Sequence, residues 1–148
     1  MGTRAAAGKD RFTQSTRDAV QMAKQSSLEF KHTHITPEHI LLGLLKQSDV
    51  GVNKAVSHAK ASPEQIRELV LHHLRADDKG ISEHLMTFSE RGKRVIELAR
   101  HEAQRLRADQ LAPEHLLLGL TLVPNTVCGA VLRAVGLTTE SVREALDE

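Results

Sequence analysis

The chain has 148 residues, and 20 Lys plus Arg against 19 Asp plus Glu leave a formal net charge of +1 at neutral pH. This balance gives no electrostatic basis for binding nucleic acid or an anionic membrane, and three Phe with no Trp or Tyr argue against the stacking platforms of single-strand binders. Cys128 is the only cysteine, which excludes an intramolecular disulfide, and its apolar surroundings in the sequence predict a small buried hydrophobe.

No stretch of the sequence predicts membrane insertion or secretion. No apolar run reaches the roughly 20 residues of a spanning helix, and the polar N-terminus lacks the hydrophobic segment of a signal peptide. We therefore expect a reducing, cytoplasmic compartment, or the plastid stroma if the source is a plant. Residues 1–10 are expected to be a flexible lead-in to a single domain over residues 11–148.

A nine-residue motif occurs twice, 76 residues apart. Residues 36–44 read TPEHILLGL and residues 112–120 read APEHLLLGL, identical at seven of nine positions. The same offset relates other residue pairs before and after the motif. The chain is therefore predicted to be a duplicated unit, with repeat one at 11–75, a polar linker at 76–87 and repeat two at 88–148.

The first helix of each repeat is predicted to begin after a hydroxyl residue. Thr13 and Ser89 each stand where an N-cap belongs, directly after a phenylalanine. Apolar residues then recur at helical spacing, clearly in repeat two and more weakly in repeat one. The pattern predicts an amphipathic helix with its apolar face toward the core.

The second helix of each repeat contains the duplicated motif. Thr36 is a good N-cap and Pro37 suits the first helical position, whereas Ala112 predicts a less secure start for the second copy. The runs 40–45 and 116–120 are apolar nearly all round. Such helices are expected at the centre of the domain.

Two further helices complete each repeat. The third is predicted over 52–59 and, with one residue of slippage, over 127–135, where Gly136 has the place of a terminating glycine. The fourth is predicted to begin at Ser62, in a capping-box sequence, and near Thr138 in the second repeat.

The predicted fold class is all-α. No sustained polar–apolar alternation and no Asn-Gly or Asp-Gly turn indicates a strand. Neither four-helix unit alone buries much core, so the two repeats are expected to pack on each other. The prediction is an eight-helix, pseudo-two-fold domain built from two four-helix repeats.

Common catalytic motifs are absent from the sequence. It has no phosphate-binding P-loop, no dinucleotide fingerprint and no nucleophile elbow, and His101-Glu102 does not continue to H-E-x-x-H. With one cysteine and no histidine pair at i, i+4, no metal site and no cofactor are expected. A metal-dependent hydrolase using the nine histidines is the alternative from another functional class.

The repeated glutamate has two interpretations. Glu38 and Glu114 fall in the first turn of the central helix, where a carboxylate complements the helix dipole. A carboxylate held at the surface is also suited to bind a guanidinium. Since the helix starts at Thr13 and Ser89 are potential anion sites, the combination suits a zwitterionic group such as a phosphorylated arginine.

The duplicated pattern of Phe-Thr/Ser, an Ala-rich helix and Pro-Glu-His-Leu-Leu-Leu-Gly-Leu resembles the Clp N-terminal repeat domain, in particular that of ClpC-type AAA+ chaperones. The likeness extends over residues 12–147. It implies a non-enzymatic module that binds substrates and adaptor proteins ahead of the ATPase rings, which pass unfolded chains to the ClpP protease.

The resemblance also implies two kinds of binding site. Phosphoarginine would be held by a Glu and a hydroxyl residue of each repeat, here Glu38 with Thr13 and Glu114 with Ser89. Cyclic-peptide antibiotics would bind between the first helices of the two repeats, at a groove formed by Arg17, Val20, Phe88, Lys93 and Glu97. The aromatic residue of the family near the N-terminus is replaced by Lys9.

No ATPase motif follows the second repeat in the sequence. Two interpretations stay open: an N-domain of a longer chaperone, or a free-standing protein acting as adaptor, decoy or accessory subunit on a Clp ATPase or on ClpP. The diverged first repeat, with His32-Thr33-His34 in place of a glycine-containing turn, mildly favours the second interpretation. Neither nucleic acid nor a membrane is an expected partner.

Overall fold

A computed structural model of the protein describes residues 11–77 and 80–147. Within these residues the predicted eight helices are present, four in each repeat. They are α1 (Gln14–Glu29), α2 (Pro37–Gln47), α3 (Val50–His58), α4 (Pro63–His73), α5 (Glu90–Arg105), α6 (Pro113–Leu122), α7 (Val127–Ala134) and α8 (Thr139–Asp147), with a 3₁₀ turn at Glu83–Leu85. The all-α prediction is confirmed, and the lead-in predicted at 1–10 lies outside the described residues.

Side-chain caps set most of the helix starts. The hydroxyl of Thr13 accepts a hydrogen bond from the Thr16 amide, and that of Ser89 accepts one from the Gly92 amide. Both N-caps are as predicted. The cap of α3 by Asp49, whose carboxylate accepts from two first-turn amides, was not predicted, and it starts this helix two residues earlier than expected.

The two motif helices form the centre of the molecule. α2 and α6 are buried over most of their length, and each packs closely on the first helix of its own repeat. The motif glycine makes this approach possible: a Cβ on Gly43 would lie 2.5 Å from the Ala19 carbonyl oxygen, and one on Gly119 would lie 2.5 Å from that of Val95. The close contact explains why glycine recurs at this position of the motif.

The repeats share one core. α3 packs on α8, α4 packs on α7, and α2 contacts α6, so every one of these contacts joins one repeat to the other. The buried apolar residues of both repeats belong to a single cluster that includes Leu44 and Leu120, both fully buried. Each repeat therefore covers apolar surface of the other.

The expectation of no strands is wrong in one respect. β1 (His34–Ile35) and β2 (Thr87–Phe88) pair in parallel, with Ile35 opposite Phe88, and Phe12 forms the equivalent bridge to Leu111. Two-residue strands are too short to leave an alternating pattern in the sequence. Each bridge joins the residues before the first helix of one repeat to those before the second helix of the other.

A hydrogen-bonded chain of two histidines closes the turn after α1. The Thr36 amide donates to His39 Nδ1, so neutral His39 carries its proton on Nε2, which lies 2.9 Å from His32 Nδ1. His32 Nε2 in turn donates to the Arg75 carbonyl oxygen at 2.6 Å. The chain links α2 to the segment that leaves α4, and His39 is fully buried.

Among the described residues no single helix is long and apolar enough to cross a membrane. Only together do α6 and α7 have the length and the apolar composition of a spanning segment, and the two helices meet at an angle of 99°.

Candidate functional site

The exchanged strands place the predicted site residues. The Thr13 amide donates to the Leu111 carbonyl oxygen at 3.1 Å, and at the equivalent place the Ser89 amide donates to the Ile35 carbonyl oxygen at 3.0 Å. The start of α1 therefore lies beside the start of α6, and the start of α5 beside the start of α2. The two hydroxyl residues consequently lie next to the second helix of the opposite repeat.

Thr13 and Glu114 line one cavity of about 490 Å³, called here the Thr13–Glu114 cavity. Asp109, Asp147 and His115 contribute further polar groups to its lining. Burial lowers the pKa of His115, although the charges of Glu114 and Glu102 act to raise it. His115 is therefore neutral at pH 7, and the charged groups of this cavity are carboxylates.

Ser89 and Glu38 line a second cavity, of about 310 Å³, called here the Ser89–Glu38 cavity. Glu90 and Arg91 from the first turn of α5 also line it. An adjoining cavity of about 280 Å³ shares Ser89 and Glu90, and its lining further includes His34, Thr87, Phe88 and Lys93. This side of the molecule thus combines the Ser89 hydroxyl with two carboxylates and two cations, and one of these cations, Lys93, pairs with Glu90 at 3.6 Å.

The four predicted residues are grouped differently from the expectation. The resemblance pairs Thr13 with Glu38 and Ser89 with Glu114. In the structure the two members of each of these pairs line different cavities. Each cavity takes its hydroxyl from one repeat and its glutamate from the other. The reason is the strand exchange, which could not be inferred from motifs that are each contained in one repeat.

Both glutamates also reach the third helix of the opposite repeat. Glu38 Oε2 accepts a hydrogen bond of 3.0 Å from the Cys128 amide, in the first turn of α7. Glu114 lies at the start of α3, where its Oε1 would be 2.7 Å from a Cβ on Gly51. These carboxylates therefore stabilise a helix start in the other repeat, a role that neither sequence interpretation included.

The residues of the expected antibiotic groove are only partly brought together. Phe88 and Lys93 line the cavity that adjoins the Ser89–Glu38 cavity. Arg17, Val20 and Glu97 are absent from its lining: the Arg17 guanidinium donates to the Phe12 carbonyl oxygen at 2.8 Å, and Glu97 pairs with Arg94 at 2.9 Å. No continuous groove over all five residues is defined by these contacts.

Metal chemistry gains no support from the side-chain positions. Over residues 11–77 and 80–147, no group of three or more His, Cys, Asp or Glu side chains is arranged to hold a metal ion. Burial raises the pKa of the Cys128 thiol to about 12, so this cysteine stays protonated at neutral pH. Its full burial agrees with the predicted structural role.

Comparison with known proteins gives the family. The Clp repeat N-terminal domain matches residues 11–85 and again residues 87–148. A curated relative, the negative regulator of genetic competence ClpC/MecB of Bacillus subtilis, is 30% identical over 135 residues, which are 90% of this chain and 16% of the relative. The chain thus spans about a sixth of the length of this relative.

Solved structures show the same fold. The crystal structure of the N-terminal domain of ClpD from Arabidopsis thaliana superposes with a TM-score of 0.72 at 22% identity and covers the whole of both chains. The N-terminal domain of the ClpV1 ATPase from Escherichia coli gives a TM-score of 0.76 at 20% identity, covering 95% of this chain and 86% of that one. From the two matched repeats and the shared architecture, this chain belongs to the Clp repeat N-terminal domain family.

Proposed function

We propose that this domain is a non-enzymatic module that binds substrate or adaptor proteins of the Clp chaperone–protease system. The observation that carries this proposal is the pair of cavities at pseudo-equivalent helix starts, each built from both repeats. A fixed carboxylate beside a helix start suits the capture of a charged side chain on another protein. Catalysis is not needed to explain any of the groups that line these cavities.

The ligand that fits the Ser89–Glu38 cavity best is a phosphorylated arginine side chain. Its guanidinium is complementary to the Glu38 carboxylate, and its phosphoryl group is complementary to Arg91 and to the first turn of α5. Only Oε2 of Glu38 is engaged by the Cys128 amide. Since a carboxylate has two oxygens with several acceptor positions, Glu38 can accept from a guanidinium while it keeps the hydrogen bond from the Cys128 amide.

The Thr13–Glu114 cavity should differ in its preference. Asp109, Glu114 and Asp147 line it, and neither Lys nor Arg is among its described lining residues. Three carboxylates repel a phosphoryl group and favour an unmodified cationic side chain. We therefore expect one phosphoarginine site for each chain, although the sequence repeat alone suggests two.

Titration of the full chain with phosphoarginine, followed by calorimetry, tests this proposal. Glu38→Gln removes the charge but keeps an acceptor for the Cys128 amide, so it should abolish binding while preserving the fold. Arg91→Gln should also weaken binding. Glu114→Gln is the matched control and should leave the affinity unchanged. Absence of binding by the wild type at millimolar ligand would refute the phosphoarginine proposal.

A cyclic-peptide ligand is a second candidate. The observation in its favour is the cavity lined by Phe88 and Lys93, which joins the Ser89–Glu38 cavity through shared residues. A cyclic peptide on this surface should protect the Phe88 and Lys93 amides from hydrogen exchange and compete with phosphoarginine. Simultaneous, independent binding of both ligands would separate the two sites.

A further inference from the structure

A further cavity lies between α1, α2 and α4, away from both sites described above. Its volume is about 220 Å³, and its apolar walls are formed by Phe30, Leu42, Leu45 and Leu71. Pockets for drug-sized ligands usually have about 300–1,000 Å³. The size of this cavity, called here the α4 cavity, therefore suits one inserted side chain better than a whole small molecule.

Charged side chains line the same cavity without forming ion pairs. Arg67 and Lys46 contribute cations, and Glu29 and Glu64 contribute carboxylates, all of them exposed. Within the described residues no hydrogen bond or ion pair engages the side chain of any of these four. Arg67 thus has a guanidinium next to an apolar recess and no carboxylate bound to it.

Repeat two shows what occupies the equivalent place there. Glu102 of α5 is only 5% exposed, and its carboxylate accepts hydrogen bonds from Arg143 of α8 at 2.8 and 3.2 Å. Arg105 adds another at 3.1 Å. Burial acts to raise the pKa of the Glu102 carboxyl, but the hydrogen bonds from Arg143 and Arg105 keep it below its usual value.

The 76-residue offset relates the two arrangements residue by residue. Arg67 corresponds to Arg143, but the buried Glu102 is replaced in repeat one by Ser26. Ser26 lines the α4 cavity. Repeat one has therefore kept Arg67 and lost the buried carboxylate, and it has Glu29 where repeat two has Arg105. A cavity is found where repeat two has an internal ion pair.

We propose that the α4 cavity receives an aspartate or glutamate side chain from a partner protein, which meets Arg67 as Glu102 meets Arg143. The apolar walls require apolar residues beside that acid. Glu29 and Glu64 stand in the same lining and repel further negative charge, so the complementary segment carries a single acid and not an acidic run. This surface is separate from the Ser89–Glu38 cavity and does not depend on phosphoarginine binding.

The test uses an acetylated and amidated peptide, Leu-Glu-Leu-Leu, and the same peptide with Gln in place of Glu. Amide chemical shifts of the ¹⁵N-labelled full chain should change around Ser26, Lys46 and Arg67 on addition of the Glu peptide. Arg67→Gln should weaken binding by about tenfold, because it removes a charge-assisted hydrogen bond. The Gln peptide should show a similar loss against the wild type.

Ser26→Glu provides the complementary variant. It supplies from within the chain the carboxylate that repeat two already has, so it should block the peptide and raise the melting temperature. Since Arg67 is exposed and unpaired, Arg67→Gln should melt like the wild type, whereas the matched Arg143→Gln should melt lower. Equal binding of the Glu and Gln peptides, equal binding by Arg67→Gln, or no shift change at millimolar peptide would overturn the proposal.

Discussion

The histidine chain predicts a loss of stability in mild acid. Every ring nitrogen of His39 and His32 has a hydrogen-bond partner. The Thr36 amide, a donor, at one end and the Arg75 carbonyl, an acceptor, at the other fix the direction of each hydrogen bond. An added proton places two N–H groups face to face. Burial, and next to it the charge of His32, lowers the pKa of His39 from 6.5 to about 4.

The size of the effect follows from this pKa. An unfolded His39 with a pKa of 6.5 binds a proton more readily than the folded one, so the stability contribution is complete above pH 6.5 and is lost as the pH falls toward 4. The whole pKa shift from 6.5 to about 4 corresponds to about 3 kcal/mol of unfolding free energy. Between pH 7.5 and pH 5 the expected loss is about 2 kcal/mol.

Urea unfolding at a series of pH values measures this contribution. The stability difference between the wild type and His39→Asn should shrink by about 2 kcal/mol from pH 7.5 to pH 5. His115→Asn is the matched comparison. Burial lowers the pKa of His115 as well, but Ala108 stands where repeat one has His32, so the difference between wild type and His115→Asn should shrink by less. A difference between wild type and His39→Asn that is constant over this pH range would refute the reasoning.

Stability measurements test the rest of the fold. Leu118→Ala in the shared core should cost roughly 2–5 kcal/mol in urea unfolding. Gly119→Ala should cost about 1–3 kcal/mol, because the added methyl group meets the Val95 carbonyl; an unchanged midpoint would contradict the close packing. Glu102→Gln should lower the free energy of unfolding by roughly 1–3 kcal/mol, because it weakens the hydrogen bonds from Arg105 and Arg143. Addition of 1 M salt to the wild type should not reproduce that loss. Residues 1–78 expressed alone should aggregate, and a cooperative thermal transition of this fragment would contradict the shared core.

Much of the fold was predictable because its signals are local. A cap hydroxyl, a proline in the first turn and an apolar run are each contained in a few residues, and the duplication supplied every signal twice. The terminating role of Gly136 is of the same kind: its φ of +87° is a conformation that glycine adopts without strain. Ala112 was expected to weaken the start of α6, but the His115 ring accepts a hydrogen bond from the Ala112 amide at 2.9 Å.

The arrangement of the site was not predictable, because it depends on contacts between the repeats. Glu38 follows Thr36 by two residues in sequence, yet it shares a cavity with Ser89 and accepts a hydrogen bond from the Cys128 amide, both in the other repeat. A repeated motif predicts equivalent positions but does not tell which copy completes which site. The sequence likewise does not tell that Arg91 lines the Ser89–Glu38 cavity whereas Asp109 lines the Thr13–Glu114 cavity.

A double-mutant cycle on phosphoarginine binding tests the central claim, that the site is composed from both repeats. The free energy of binding is measured for Ser89→Ala and Glu38→Gln, singly and together. Since both residues line one cavity, their effects should be coupled by at least about 0.5 kcal/mol. The matched cycle of Ser89→Ala with Glu114→Gln should show no coupling. Coupling of Ser89 to Glu114, with none to Glu38, would contradict the composite site.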